Sequence, residues 1–67
     1  MRASILTIGT EITRGELIDT NGAWLCEQLS ELGCEIHEHV SVSDNAELIR
    51  DTYLRLSDSS DFLVCTG

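Results

Sequence analysis

The sequence predicts an α/β domain built on a parallel β-sheet. Short apolar segments alternate with amphipathic segments of helical period, the order is strand, helix, strand, helix, strand, and most connections are short. Because parallel strands are joined by right-handed crossovers, this order predicts a parallel sheet. Residues 1–67 would form a single domain, which we expect to be incomplete because 67 residues bury only a modest core.

The first strand is predicted from Ala3 to Ile8, where the residues are almost continuously apolar. This composition is typical of a buried parallel strand, and Gly9 ends it. The last strand is predicted over Phe62 to Cys65. Ligands of open α/β sheets bind beyond the carboxyl ends of the strands, so function is expected in the residues that follow each strand.

The first long helix is predicted to begin at Thr20 or Asn21, either of which can cap it. Gly33 stands where a helix commonly ends in a left-handed residue. Trp24 is expected to pack between this helix and the sheet, or alternatively to stack against a ring of a ligand near the helix start. The apolar face of the helix carries three leucines, namely Leu25, Leu29 and Leu32.

The segment from Cys34 to Val42 alternates with a period of two and predicts a second strand near a sheet edge. Its predicted faces are Ile36, Val40 and Val42 on one side and Glu35, His37, His39 and Ser41 on the other. The two histidines either chelate a transition metal with a third ligand or form ordinary polar surface.

A second helix is predicted after the turn at Ser43 to Asn45, with Asp44 and Glu47 approximating a capping box. The polar segment from Asp58 to Asp61 closes this helix. Its predicted apolar stripe consists of Ile49, Tyr53 and Leu56.

The charge balance argues against polyanionic partners. Twelve acidic residues against four arginines, with no lysine, give a formal net charge of −8. This charge repels nucleic acid and anionic membranes, so neither is expected as a partner. A phosphate ligand would therefore need arginine, backbone amides or a metal ion at its site.

The three cysteines, Cys26, Cys34 and Cys65, have neither the CxxC spacing of redox and zinc motifs nor the density of a disulfide scaffold. We expect reduced and mostly buried thiols. No leader pattern and no apolar run long enough for a membrane span is present, so we expect a cytoplasmic location.

The loop from Gly9 to Thr20 is long for a connection between a strand and a helix, and such loops are often functional. Its apolar residues Ile12, Leu17 and Ile18 suggest that part of it packs down. Neither GxxxxGK[ST] nor GxGxxG occurs, which excludes the two familiar phosphate motifs. The remaining signal is a glycine-bounded loop that enters a helix N-terminus, where an anion is favoured.

Charged residues in this loop have two readings each. Glu11, Glu16 and Asp19 either offer oxygen ligands to a divalent cation or are solvated charges and caps. Arg14 either contacts a phosphate or pairs with a neighbouring carboxylate.

The chain closely resembles the start of CinA-like competence/damage-inducible proteins, whose first domain is of the MoaB/Mog molybdopterin-binding type. The resemblance rests on a set of spaced residues: Gly9, Thr10, Glu11, Gly15, Asp19, Thr20, Asn21, Leu32, Gly33, Asp44 and Asn45. Thr66 and Gly67 fall where that family begins a glycine-rich loop. Arg14 departs from the family, in which many relatives carry an aliphatic residue.

The resemblance implies a three-layer α/β/α fold, a homo-oligomer, and a pocket for a phosphorylated pterin or nucleotide at the strand ends. It further implies a pyrophosphatase that acts on ADP-ribose-like dinucleotides with a divalent metal ion, although we expect these 67 residues alone to be inactive. The candidate ligand-binding residues are Gly9, Thr10, Glu11, Asp19, Asn21, Thr66 and Gly67, with Glu11 and Asp19 as candidate metal ligands.

Two other functions fit the same sequence. One is a molybdopterin-binding or adenylylating domain of molybdenum cofactor biosynthesis. The other is a non-catalytic segment whose exposed sheet edge mediates assembly.

Overall fold

A computed structural model describes all 67 residues. Their order along the chain is β1 (Arg2–Ile8), α1 (Thr10–Thr13), α2 (Thr20–Glu31), β2 (Glu35–Val42), α3 (Ala46–Ser59) and β3 (Phe62–Thr66). The predicted succession of three strands and two long helices is confirmed. The single turn α1 lies inside the long loop and was not predicted.

The three strands form one parallel sheet in the order β2-β1-β3. The central position of β1 explains its apolar composition, since every residue from Ala3 to Thr7 is buried. Strand β2 lies at an edge, as its polar alternation predicts. The parallel α/β fold inferred from the sequence is therefore confirmed.

The two long helices cover opposite faces of the sheet. The chain moves from β1 to β2 in one direction and from β2 to β3 in the other, so two right-handed crossovers place their helices on different sides. Asp19 at the start of α2 contacts His39 of β2, whereas Arg55 of α3 contacts the adjacent Glu38. Adjacent residues of a strand point to opposite faces, which gives the three layers.

The main core lies between α3 and the sheet. Leu6 of β1, Val42 of β2 and Leu56 of α3 are buried against one another. Burying a side chain such as Leu6 or Leu56 contributes about 1.5–3 kcal/mol. This packing fixes the carboxyl ends of β1 and β2 at a common edge of the sheet.

A β-bulge in β2 corrects the predicted strand faces. Ile36 pairs with Ala3, but the next residue of β1, Ser4, pairs with Glu38, so β2 accommodates one extra residue at His37. Ile36 consequently lies on the opposite face from Val40 and Val42. Strict alternation could not reveal this insertion, because a bulge changes the register without changing the sequence pattern.

Helix α2 begins and packs differently from the prediction. Its N-cap is Asp19, for which a cap was one of the two interpretations, and not Thr20 or Asn21. Trp24 is 59% exposed because the helix buries Gly22, and a residue two positions further along points away from the sheet. Leu32 lies beyond the last helical turn and is 79% exposed. Gly33 has a φ of 90°, which confirms the predicted left-handed ending.

Helix α3 shows two similar corrections. Asn45 caps it by accepting a hydrogen bond from the Leu48 amide, so the cap is not Asp44. Its buried stripe includes Thr52 and Leu56, whereas the predicted Tyr53 is half-exposed. A polar threonine occupies the inner position, and a pattern based on apolar residues passes over it.

All three cysteines are free. Cys26 and Cys34 are half-buried, but Cys65 is exposed, which corrects the expectation of mostly buried thiols. Cys65 lies on β3, whose outer edge has no neighbouring strand. No helix combines the length and apolarity that crossing a bilayer requires.

Candidate functional site

A cleft of about 230 Å³ lies where β1 and β3 end and α2 begins. Its position follows from the topology: the chain leaves β1 towards β2 and returns to β3 on the other side, which makes the gap between β1 and β3 a switch point. Open α/β sheets bind ligands at such points. The lining residues are Thr7, Ile8, Glu11, Ile12, Leu17, Ile18, Asp19, Thr20, Asn21, Thr66 and Gly67.

Five of the seven candidate ligand-binding residues line this cleft: Glu11, Asp19, Asn21, Thr66 and Gly67. The other two lie on the β2 side of the loop. The Gly9 amide donates to the Val42 carbonyl at 2.9 Å, and the Asp44 amide donates to the Thr10 hydroxyl at 3.2 Å. Gly9 and Thr10 thus connect the loop to the end of β2 and do not line the cleft.

The rest of the loop forms one turn of helix followed by an exposed segment. The Glu16 amide donates to the Glu11 carbonyl at 2.8 Å, and Gly15 supplies the positive φ of 78° that this turn uses. Of the three apolar loop residues expected to pack down, Ile12 is half-buried. Leu17 and Ile18 line one side of the cleft but remain 59% and 87% exposed, so the expectation is wrong for these two.

Arg14 lies 3.8 Å from Glu16, and both side chains are more than half exposed. Its structure therefore matches the surface-pair reading of this residue.

Asp19 is the most heavily bonded polar side chain of the cleft. Its Oδ1 accepts from the Gly22 amide at 2.8 Å, and its Oδ2 lies 2.9 Å from His39 Nε2 and 3.5 Å from Ser41 Oγ. Burial opposes ionisation, but the nearby Thr7 hydroxyl, the Gly22 amide and the His39 ring together hold the pKa of Asp19 below its ordinary value. Of these three groups, Thr7 makes no hydrogen bond of ordinary geometry to the carboxylate, whereas Gly22 and His39 do. The carboxylate is therefore ionised at neutral pH and acts only as an acceptor.

Gly22 makes this arrangement possible and was missed in the sequence. A Cβ at this position would overlap the His39 ring and the Asp19 carboxylate. Glycine inside a helix is unfavourable by about 1 kcal/mol relative to alanine, so its presence in the first turn signals close packing. That signal was available from the sequence, although the partner His39 was not.

Thr7 was also missed, because it lies within the predicted strand. The residue is 3% exposed and lines the cleft, and its hydroxyl has no hydrogen-bond partner. Most buried polar groups in proteins are hydrogen-bonded. Thr7 therefore leaves a donor and acceptor unused at the floor of the cleft.

The residues present do not by themselves fit a metal ion. No three His, Cys, Asp or Glu side chains converge at any point of the chain. Glu11 and Asp19 both line the cleft, but the two oxygens of Asp19 already have partners. His39 is bonded to Asp19 and His37 lies 3.8 Å from Glu38, so the histidines do not form a chelating pair with a third ligand.

Cys26 lies on α2, and burial together with the negative charge of Asp19 raises the pKa of its thiol. A raised pKa keeps the thiol protonated and opposes a nucleophilic role.

Comparison with known families identifies the domain. A family model described as a probable molybdopterin binding domain matches residues 4–67. The chain belongs to this family. The match includes β1 from Ser4 onward, the whole cleft and the whole of the last strand of this molybdopterin-binding-type domain.

Relatives of the domain confirm the resemblance found in the sequence. A protein of Alkaliphilus metalliredigens named as competence-damage inducible is 42% identical over 67 residues, and a CinA-like protein of Flavobacterium psychrophilum is 36% identical. Each comparison covers 100% of this chain and 16% of the relative. The chain thus spans about a sixth of the length of these relatives.

A solved structure agrees in fold. The crystal structure of the protein CinA from Thermoplasma acidophilum, a protein described as having unknown function, superposes with a TM-score of 0.95 at 29% identity. The match covers 98% of this chain and 39% of that chain.

Proposed function

We propose that this domain forms part of a binding site for a small phosphorylated ligand, a nucleotide or a pterin phosphate, in the cleft between β1 and β3. The observation that carries the proposal is the coincidence of a topological switch point with the N-terminus of α2. Helix N-termini favour anions because their first amides are unpaired and carry the positive end of the helix dipole.

The hydrogen bonds around the cleft support this proposal. In the first turn of α2, the Thr20 amide donates to the Ile18 carbonyl and the Gly22 amide to Asp19. The Asn21 amide donates to no group of the protein, so it is free to donate a hydrogen bond to an oxygen of the ligand. The unpartnered Thr7 hydroxyl adds a second group at the cleft floor.

The charge of the cleft limits how a phosphate is held. No arginine or lysine lines it, while Glu11 and Asp19 do. Phosphate oxygens would therefore contact amides and hydroxyls near Asn21 and Gly67, and the carboxylates would face the donor groups of the ligand, such as ribose hydroxyls or ring amines.

The finer proposal concerns the full-length protein. Similarity to CinA-like proteins supports hydrolysis of the pyrophosphate bond of ADP-ribose-like dinucleotides, with dependence on a divalent cation. Residues 1–67 do not supply a complete metal site, so we assign no catalytic step to them. Purified full-length protein is expected to release AMP from ADP-ribose when a divalent cation is added, and a folded protein that releases none contradicts this finer proposal.

The family description favours a second candidate, which is binding of molybdopterin for molybdenum cofactor synthesis. Isothermal titration of the full-length protein with ADP-ribose and with a pterin phosphate separates the two. Tighter binding of ADP-ribose supports the dinucleotide proposal, and tighter binding of the pterin supports the second. Assembly through the unpaired edge of β3 stays a prediction, which light scattering of the purified protein tests.

A further inference from the structure

We propose that His39, which does not line the cleft, is a positioning residue that fixes the Asp19 carboxylate at the cleft wall, and that Gly22 provides the space for this contact. The inference rests on the proposed function, because it assigns Asp19 to the wall of a ligand site. It adds a residue of a different strand to that site.

The two carboxylate oxygens of Asp19 bind different partners. Oδ1 of Asp19 accepts from the Gly22 amide at 2.8 Å and so caps α2, while Oδ2 lies 2.9 Å from His39 Nε2. The hydrogen bond from the Gly22 amide fixes only Oδ1. The contact between Oδ2 and His39 prevents the carboxylate from rotating about its Cβ–Cγ bond. The Asp19 side chain is 11% exposed and lines the cleft.

No side chain other than His39 makes a short hydrogen bond to Oδ2 of Asp19. Ser41 Oγ is 3.5 Å from Oδ2, a distance at the outer limit of a hydrogen bond. The Thr7 hydroxyl is near enough to help lower the pKa of Asp19, but it makes no hydrogen bond of ordinary geometry to the carboxylate and so does not fix its orientation. His39 is therefore the one strong side-chain donor to Asp19, and charge-assisted hydrogen bonds of this kind are the stronger ones.

The packing around Gly22 leaves space for the contact between Asp19 and His39. His39 lies on β2 and approaches Asp19 across the first turn of α2, where a Cβ at position 22 would overlap both groups. Glycine lowers the stability of a helix, so a glycine inside a helix is commonly found where another group must approach the backbone closely. The position of Gly22 is explained by the contact between Asp19 and His39.

His37 provides a matched control. It belongs to the same strand and its side chain is 29% exposed against 31% for His39, yet it lies beside Glu38 and makes no contact with Asp19. A substitution at His37 therefore reproduces the loss of an imidazole from β2 without touching the cleft wall.

The test measures the dissociation constant of ADP-ribose by isothermal titration in the full-length protein carrying His39→Phe, His39→Gln or His37→Phe. We expect His39→Phe to weaken binding about tenfold, the usual effect of losing one hydrogen bond to a charged group. The side-chain amide of His39→Gln donates to the carboxylate in place of the imidazole, so binding is expected within about twofold of wild type. His37→Phe is expected to bind like wild type.

A glutamine variant as weak as the phenylalanine variant overturns the inference, as does unchanged binding in His39→Phe. His39→Ala, which adds no bulk, replaces His39→Phe if that variant does not fold.

A second measurement keeps the inference separate from the proposed function. Hydrogen exchange of the Gly22 amide reports the Asp19 contact without any ligand. We expect faster exchange in His39→Phe and restoration in His39→Gln. If wild-type protein binds neither ADP-ribose nor a pterin phosphate, the proposed function fails, and the exchange result alone then supports or overturns the role of His39.

Discussion

Replacing Gly22 by alanine tests the packing around Asp19 most severely, because helix propensity and packing predict opposite signs. Alanine is favoured over glycine in a helix by about 1 kcal/mol. The new Cβ overlaps the Asp19 carboxylate and the His39 ring, however, and overpacking of this kind typically costs about 1–3 kcal/mol. Displacing Asp19 also weakens the cap of α2, which is worth about 1 kcal/mol. The sum predicts a net destabilisation of about 1–3 kcal/mol.

Hydrogen exchange of peptides that span α2 in the full-length protein measures this change locally, because opening free energies differ between parts of a structure. The matched control is Ala23→Gly, which changes propensity in the same turn at an exposed position. We expect the control to cost about 1 kcal/mol through propensity alone. The reasoning is refuted if Gly22→Ala protects α2 as well as or better than wild type does.

Three further predictions concern charge and hydroxyl groups. Because the folded pKa of Asp19 is lowered, its ionisation stabilises the protein above the unfolded value of about 3.9, and this stabilisation is lost as the pH falls through the folded value. The stability deficit of Asp19→Asn in urea unfolding is therefore expected in full at pH 7 and is expected to shrink as the pH falls below about 3.9. Thr7→Val removes an unpartnered hydroxyl, so stability is expected within about 0.5 kcal/mol of wild type while calorimetric affinity for ADP-ribose falls; unchanged affinity would count against Thr7 as a ligand contact. Arg55→Ala breaks a half-exposed pair with Glu38 at 2.8 Å and is expected to cost no more than about 1 kcal/mol in urea unfolding, with a larger loss contradicting the surface character of the pair.

The order of the elements could be predicted because each depends on a local pattern. Continuous apolar residues in β1 and the glycine after α2 have local physical causes, and both predictions held. The prediction of CinA-like ancestry also held, since it rests on spaced residues along the whole chain. Local patterns also located the loop that borders the cleft.

The errors arose where a neighbour in space decides the outcome. Trp24 and Tyr53 are large and apolar, but Gly22 and Thr52 take the inner positions of their helices. At Gly22 the reason is the close approach of His39 and Asp19, which leaves no space for a Cβ. The bulge at His37 depends on pairing with β1 and leaves no mark in the alternation of β2.

The site was predicted only in part, because some of its contacts also depend on neighbours in space. Asp19 is recognisable from its position before a helix, but its contact with His39 joins residues 20 positions apart in the chain. Thr7 looks like any strand residue until the cleft beside it is seen. Contacts of this kind need the parallel sheet that brings the strand ends together.

A crystal structure of the full-length protein with ADP-ribose bound tests the central claim most directly, which is that the carboxyl ends of β1 and β3 form a ligand site with the start of α2. The account predicts that ligand oxygens lie within hydrogen-bonding distance of the Asn21 amide and beside Gly67. A ligand bound at the opposite end of the sheet, near Cys34 and Asp61, would contradict it.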